Sequence, residues 1–534
     1  NLFDREAKNG VFISGSFSGL KDISETVIYS SSASLRAGRA MNRPGQSPPT
    51  KEAGEKTKEK ETRFRDVSKE MPVTTAVLCK CPSESGEKAG FIESFCTSHP
   101  LIDNFITVDG MCTAEGWLSL LEHVENHTFN RLVILACVPC LFKGKLKELS
   151  ARTGLAECYL EAVDISGMEK DPVEFTVNTA VAKVRQAKIP ASRTIRVTRQ
   201  VLVIGGGIAG MNAALACADQ GYETVLVEKG SELGGNLSWL HTHIDGTDFK
   251  ELLDSTAKEV EKHPLITVLK NSTVEDTSGE TGNFTTLVQT DDGQGGITTS
   301  SIRHGAVIFA TGSGEAQVSR YRIGEHDSIM TTRTFEEKKQ NEEIDLDSLK
   351  NVVMIQCVQS RDDSKEYCSR ICCTSSIKQA LYLKESDPDR NVFILYRDIM
   401  TYGFLESYYK KARDLGIIFI RYTTDRPPKV DISDDKPRVT AYESILDQDI
   451  EIEADAVILA SGMQPSSVEK LAGMYRIEQD EYGFIRQGDG KWRPVDTTMD
   501  GVFVCGTAAG PRNVEESIAS AQAAAQRALR IVCR

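Results

Sequence analysis

The sequence predicts an α/β protein built on doubly wound parallel sheets, and three observations predict it. An apolar run, Val201–Ile204, passes straight into Gly205-x-Gly207-x-x-Gly210. A second strand-and-helix block opens at Asn351–Val358, with further strand-like runs at Val392–Tyr396, Ile417–Arg421 and Ala456–Ala460. Residues 73–190 alternate strand and helix on a smaller scale. Strand, glycine turn, helix and second strand, in that order, open a sheet that carries helices on both faces.

With 534 residues the chain has room for two to four domains, each with its own core. Apolar residues at 40% and charged residues at 26% are an ordinary globular balance. The net charge of −14 weighs against nucleic acid or an anionic membrane as the main partner. There is no apolar run of about 18 residues, so no transmembrane helix is expected. The longest apolar stretches, such as Val201–Ile204 and Val352–Ile355, have the length of buried strands. No secretory signal is visible and residue 1 is Asn, which fits a processed N-terminus or a piece of something longer. A soluble, cytoplasmic protein is the expectation. Fourteen cysteines in such a chain point away from disulfides, because the cytosol keeps thiols reduced. Cys96, Cys158, Cys217, Cys505 and Cys533 are scattered and read as small core residues. The clustered ones read as metal or redox groups.

The N-terminus contains a partial repeat. Gly10-Val-Phe-Ile-Ser-Gly15, followed by Gly19, Glu25, Ala33, Arg36 and Arg39, recurs at a fixed offset near the other end. There it reads Gly501-Val-Phe-Val-Cys-Gly506, then Gly510, Glu516, Ala524, Arg527 and Arg530, with ten identities and no gap. Both copies read as a short strand, a glycine turn and an amphipathic helix rich in small residues. Residues 1–41 are therefore expected to be the closing segment of a preceding, similar module. Residues 42–72 are rich in Lys, Glu, Pro, Gly and Ser and read as a flexible linker. In residues 73–190, a small α/β domain, Val73–Leu78 and Leu132–Ala136 read as strands, and Glu115–Glu125 and Phe142–Ser150 as helices.

The glycines at 205–210 predict a dinucleotide site. Gly205 permits the tight turn, Gly207 lets backbone approach a pyrophosphate, and Gly210 lets helix and strand pack closely. The helix N-terminus, with Ile208 and Ala209, offers unpaired N–H groups to the phosphates. Glu228 ends the second strand, next to Lys229, where its carboxylate accepts ribose hydroxyls and repels a 2′-phosphate. Three features select FAD over NAD. Gly234-Gly235, with Asn236 and Leu237, can cross the pyrophosphate. An apolar strand ends in Ala310-Thr311-Gly312. The run through Gly506 and Thr507 enters a helix near Asn513, Val514 and Ser517, whose N-terminus can face the isoalloxazine. Here the chain resembles the two-dinucleotide-binding-domain flavoproteins that include thioredoxin reductase, over about residues 196–534. That resemblance implies an FAD-binding domain of residues 196–317 and 466–534, and a second, degenerate Rossmann-like domain of residues 318–465.

In such enzymes the second domain opens with another glycine turn for NADPH. Here that strand reads Val352-Val-Met-Ile-Gln-Cys-Val-Gln-Ser-Arg361, without a glycine and without an arginine pair, so a nicotinamide in the usual place is not expected. Cys357, Cys368, Cys372 and Cys373 stand there instead. Four thiolates within seventeen residues suffice for a [4Fe–4S] cluster, and a chance core cysteine beside a reactive vicinal pair is the plainer alternative. The wider pattern, Cys357-Val-Gln-Ser-Arg-Asp-Asp, Tyr367-Cys-Ser-Arg-Ile-Cys-Cys373, Ile377-Lys-Gln-Ala380, Tyr396-Arg-Asp-Ile399, Tyr402-Gly403 and Tyr408–Arg413, closely resembles the A subunit of heterodisulfide reductase and its anaerobic relatives. The likeness runs from about 73 to 534. It implies an iron–sulfur flavoprotein with the cluster on those four cysteines, beside FAD, in a multi-subunit electron-transfer complex that in some members bifurcates electrons. Expected partners are the complex's other subunits and iron–sulfur proteins such as ferredoxin-like or hydrogenase or dehydrogenase subunits. Gly234-Gly-Asn-Leu-Ser-Trp-Leu-His241 runs on without a cysteine-rich insertion, and no C-x2-C-x2-C run occurs, so this resembles a short form lacking the ferredoxin insertion.

Cys79-Lys-Cys81, Cys112 and Cys137-Val-Pro-Cys140 mark strand ends or turns of the small domain. The resemblance suggests a second cluster there, on Cys79, Cys81, Cys112 and Cys137, with Cys140 as substitute. A thioredoxin-like dithiol or purely structural cysteines remain alternatives. His241 and His243 read as a polar loop by the flavin rather than a metal pair. The function expected is that of an oxidoreductase component in which FAD trades two-electron equivalents for single electrons through the cluster. Its rivals are a disulfide reductase using Cys372–Cys373 or Cys137/Cys140, and a non-catalytic FAD scaffold.

Overall fold

The computed structural model describes residues 6–8, 11–15, 21–41, 64–80, 86–126, 128–136, 139–165, 170–189, 195–363 and 365–533. Two compact units result, one of residues Lys51–Thr194 and one of Asn1–Thr50 with Ile195–Arg534.

The larger unit is built on two parallel sheets. The first has seven strands in the order Gln487–Asp489, Arg493–Thr497, Val502–Val504, Ala306–Phe309, Gln200–Ile204, Glu223–Val227, Ile266–Leu269, and the last five of these run parallel. The central strands, Val502–Val504, Ala306–Phe309, Gln200–Ile204 and Glu223–Val227, are apolar runs buried on both faces along nearly all their length, as a sheet covered on both sides requires. The helix Ile208–Ala218 is made of small and apolar residues, all but Asn212 buried. It packs on the sheet beside the closing helix Val514–Val532, which is also rich in alanine and contacts the same sheet. The second sheet has five parallel strands, in the order Ile329–Thr331, Ala456–Leu459, Asn351–Ile355, Asn391–Tyr396, Ile418–Arg421. Each sheet is accompanied by a three-stranded antiparallel one, Ser272–His304 for the first and Lys429–Glu453 for the second. Two short strands, Ser313–Glu315 and Met463–Pro465, pair antiparallel where the chain crosses from one half to the other and back. This is the two-dinucleotide-binding α/β architecture expected from the sequence.

His304 gives the first half a built-in pH dependence. Fully buried, its Nδ1 donates to the Ala306 carbonyl at 3.0 Å, while Nε2 faces the Thr286 hydroxyl at 2.8 Å. Burial pushes its pKa down to about 4. An unfolded histidine takes up its proton near pH 6.5. Below that pH the unfolded chain therefore binds more protons than the native one. The stability His304 contributes is complete above pH 6.5 and is lost as pH falls toward 4, by about 3 kcal/mol in all. Urea unfolding at pH 7 and pH 4.5 is expected to show that loss, and His304→Gln to show a shallower one. Equal slopes in both proteins would contradict it.

The smaller unit is a four-stranded parallel sheet in the order Asn104–Asp109, Thr74–Lys80, Arg131–Ala136, Leu160–Asp164. Helices Gly86–Ser98, Ala114–Asn126, Pro139–Thr153 and Lys170–Gln186 accompany it. The linker expected at 42–72 is corrected at its C-terminal end. Val67 is fully buried in this unit's core, and Asp66 accepts the Tyr159 hydroxyl at 2.7 Å. The segment from Phe64 onward thus packs, because Val67 and the Arg131–Tyr159 stack, 4.4 Å from guanidinium to ring, need each other as neighbours. Residues 42–63 lie outside the described residues. Among the described residues no helix is long and apolar enough to cross a membrane.

Candidate functional site

A cavity of about 700 Å³ opens at the carboxyl ends of the first sheet's parallel strands, where sheets of this kind bind ligands. Gly205, Gly207, Ile208 and Ala209 line it from the first turn, and Glu228 and Lys229 from the second strand's end. Gly235, Asn236, Leu237, Ala310, Thr311, Gly312, Thr507, Asn513, Val514 and Ser517 complete the wall expected from the sequence. Gly210, Gly234 and Gly506 were expected with them but do not line it. Their reasons are steric. A Cβ on Gly210 would stand 1.8 Å from the Gly205 carbonyl oxygen, one on Gly506 would stand 2.7 Å from Ala209 Cβ, and Gly234 holds φ near 145°. Gly207 is the opposite case, since a Cβ there would meet nothing nearer than 3.8 Å and would only occupy cavity.

The electrostatics suit a dinucleotide. Glu228 is pinned by backbone donors, Gly206 N at 2.5 Å and Gly230 N at 2.7 Å, and a carboxylate retains acceptor capacity beyond two bonds. Asn513 caps the closing helix, accepting from Glu516 N at 2.8 Å, while Glu516 accepts from Asn513 N at 3.0 Å. The positive end of that helix therefore borders the cavity. Two buried donors at the wall, Arg512 Nε and Trp239 Nε1, find no hydrogen-bond partner among the described residues. Burial lowers the Arg512 pKa from its ordinary value. Unsatisfied buried donors on a concave wall are what a bound polar ligand relieves.

Several wall residues were missed from sequence. Trp239, Ser272–Val274, Arg370, Lys378, Tyr402, Leu405 and Met463 arrive by tertiary packing and carry no local signal. Arg512 was within reach, as the residue just before a helix cap. Arg370 Nη2 donates to Glu25 at 2.9 Å, Tyr402 at 3.0 Å and Glu516 at 3.2 Å. Desolvation opposes its charge, but Glu516, Tyr402 and Glu25 outweigh it and raise its pKa. His243 lines the cavity and pairs with Asp245 at 2.8 Å.

The second half replaces a phosphate turn by a cysteine loop. After Ile355 the backbone takes left-handed conformations at Cys357, Gln359, Arg361 and Arg370, all non-glycine. No helix follows until Cys372–Ser386, whose first two residues are cysteines. Residues either side of that pair, Arg370, Ile371, Thr374, Ser375 and Lys378, are wall of the large cavity. Cys368 Sγ accepts Arg370 N at 3.3 Å, and Arg361 Nη1 lies 4.0 Å from Cys357 Sγ. Burial, then the neighbouring thiols of Cys373, Cys357 and Cys368, raise the Cys372 pKa. Burial pushes that of Cys373 up to about 11. The four side chains thus sense one another. Among the described residues, however, no three Cys, His, Asp or Glu side chains converge as ligands of a single metal ion.

Of the cysteines expected in the small unit, Cys81 and Cys137 lie outside the described residues, as does the side chain of Cys140. Cys79 is buried, its sulfur accepting Met111 N at 3.3 Å, and Cys112 is exposed.

The strand order, the glycine turn and the cavity define an FAD-dependent oxidoreductase. The family model described as FAD dependent oxidoreductase matches residues 200–263. The chain is 29% identical to the A subunit of the ferredoxin:CoB-CoM heterodisulfide reductase of Methanosarcina acetivorans, over 78% of this chain and 68% of that protein. It is 28% identical to the iron-sulfur A subunit of the CoB–CoM heterodisulfide reductase of Methanocaldococcus jannaschii, over 78% of each. It is 26% identical to an Archaeoglobus profundus protein that is itself like the heterodisulfide reductase A subunit, over 87% of each. The chain is accordingly similar, over most of its length, to the A subunit of heterodisulfide reductase. The first alignment runs to 551 positions, more than the 534 residues of this chain, so that relative carries insertions absent here. Among solved structures, the thioredoxin reductase of T. acidophilum aligns with a TM-score of 0.44 and 16% identity, over 62% of this chain and 99% of that one.

Proposed function

We propose that this chain is the flavin-bearing electron-transfer component of a heterodisulfide reductase-like complex, with a [4Fe–4S] cluster on Cys357, Cys368, Cys372 and Cys373. One observation carries the reading: the residues that flank Cys372 and Cys373 are also wall of the flavin cavity. FAD, when bound, supplies two-electron chemistry that can be delivered one electron at a time, which a nicotinamide cannot do.

The chain's own residues divide the work. The turn at Gly205–Gly210 and the Gly234-Gly235 loop hold the pyrophosphate, and Glu228 holds the ribose. The N-terminus of the closing helix and the Arg512 guanidinium border the same cavity and would supply positive charge beside a bound flavin. The cysteine helix begins at Cys372 without a side-chain cap, so its first-turn N–H groups are available to negative charge at that end. A cube holds its four ligands at separate iron corners, wider apart than one ion would, which accommodates four thiols that sense one another without meeting at a point. Four soft donors are the set that iron–sulfur chemistry uses.

A disulfide reductase is the weaker reading. Cys373 is 5% exposed and its thiol is pushed up to about 11, whereas thiol–disulfide exchange needs an accessible thiolate. The partners of this chain are then the complex's other iron–sulfur proteins.

The test is anaerobic purification with flavin, iron and sulfide counts, followed by EPR of the reduced protein and titration with NADH and NADPH. One FAD and about four irons per chain for this site, a cluster signal on reduction, and no hydride uptake from either nicotinamide are expected. Flavin without iron, with two thiols consumed on oxidation, would replace the reading by the disulfide reductase.

A further inference from the structure

The repeat at the two ends of the sequence is also a repeat in three dimensions. The N-terminal helix spans Ile23–Met41 and the closing helix Val514–Val532, both nineteen residues and in register at the offset of the sequence repeat. The glycines that precede them at equivalent positions, Gly15 and Gly506, hold φ of 65° and 63°. Their caps also agree. Asp22 accepts Glu25 N at 2.7 Å while Glu25 accepts Asp22 N at 3.2 Å, the same reciprocal box that Asn513 and Glu516 form. A strand precedes each turn, Val11–Phe12 in one copy and Val502–Val504 in the other.

The two helices pack on each other. Ile28, Tyr29 and Leu35 are buried and belong to the same hydrophobic core as the closing helix. Across the contact, Tyr29 Oη donates to Glu515 at 3.2 Å and Ser32 Oγ to Gln522 at 2.5 Å. Partners thus rise together in number along both helices, so the helices run parallel. Their N-termini meet at Arg370, whose one Nη2 pairs with Glu25 and Glu516, the same position of the two repeats. The closing helix needs this cover. Its small and apolar residues, from Ile518 through Ala525 to Leu529 and Val532, are buried along the whole length of the helix, and apolar surface of that extent is stable only when enclosed.

We infer that the outer face of the closing helix is a docking surface for the closing helix of a second FAD-binding module of this same kind, and that residues 11–15 and 21–41 are such a strand, turn and helix, seated in cis. Like elements that run parallel and meet Arg370 through the same repeat position, Glu25 and Glu516, approach the geometry of an isologous interface, here between two modules instead of two copies. The closing helix borders this module's flavin cavity with its N-terminus.

The test uses the FAD-loaded full chain and sedimentation equilibrium. The double variant Ile28→Asp, Leu35→Asp unseats the N-terminal helix and frees the face for a second copy's closing helix. Its mass is expected to double relative to the unsubstituted chain at micromolar concentration, with one FAD retained per chain. Adding Gln522→Arg, which places a charge in the contact, is expected to restore the single mass. A double variant that keeps FAD and single mass overturns the inference, as does a dimer indifferent to Gln522→Arg. Should the double variant precipitate, Ser32→Arg, a single change at a side chain touching Gln522, is read by the same two outcomes.

Discussion

Replacing Cys372 and Cys373 together by alanine is expected to remove about four irons per chain and leave the FAD in place. The two cofactors separate because they use different atoms of one segment. The flavin cavity takes Arg370, Ile371, Thr374 and Ser375 of this stretch, whereas Cys372 and Cys373 are not part of its wall and the Cys373 sulfur lies 3.7 Å from the Asp398 carbonyl oxygen. The fold should tolerate the change. Removing one sulfur from the buried Cys373 leaves a hole smaller than a lost isoleucine or leucine side chain, for a cost of about 1 kcal/mol. The readouts are iron by chelator assay, flavin by absorbance after release, and the EPR of the reduced protein. Cys217→Ala and Cys505→Ala serve as controls, because both residues are fully buried in the flavin-domain core, away from the loop. Iron that survives in the double alanine variant, or that leaves in the Cys217→Ala control, would dismiss the four-cysteine assignment. So would parallel loss of flavin and iron with the melting temperature preserved, since that would make the cysteines part of the flavin cavity.

How much of this was legible in the sequence depends on whether the physics is local. The turn at Gly205–Gly210 was legible because its glycines stand at a fixed local spacing directly after an apolar strand, and the structure assigns each glycine a contact that forbids a side chain or leaves room for a ligand. Strands such as Asn351–Ile355 and Arg131–Ala136 were legible because burial on both faces leaves an unbroken apolar run. The strands Asn104–Asp109 and Leu160–Asp164 escaped, the first half-buried along most of its length and the second carrying Glu161 and Asp164. Val67 escaped for a different reason. Arg65, Asp66, Ser68, Lys69 and Glu70 surround it, and its apolar neighbours Phe64 and Met71 are exposed, so nothing local marks Val67 as the one that is fully buried. The far wall of the cavity could not be read at all. Arg370 and Tyr402 come from the second half of the unit, and their meeting with Glu516 spans more than a hundred residues of chain. The repeat of residues 11–15 and 21–41 was visible only because both copies lie in one sequence; that they would pack on each other was not.

The glycines also offer the sharpest separation of folding from binding. Gly210→Ala is expected to be severely destabilising, by more than about 4 kcal/mol, because the new Cβ would stand 1.8 Å from the Gly205 carbonyl oxygen and strand and helix must part to admit it. Gly205→Ala fails the same way, with φ at 108° and the Ala310 oxygen 2.3 Å off. Gly207→Val differs in kind. Its φ of −73° suits any residue, and the nearest atom to its Cβ is 3.8 Å away. The valine therefore occupies only the space the pyrophosphate needs, displacing it from the helix N-terminus, and FAD affinity should fall at least about 100-fold, close to 3 kcal/mol. Flavin-free Gly207→Val is expected to melt with flavin-free wild type, and to gain nothing from added FAD that raises the wild type's melting temperature. The opposite ordering, a Gly207→Val chain that unfolds or a Gly210→Ala chain that is stable and merely empty, would mean that the helix at 208–218 is not held against its strand in the way the cavity requires.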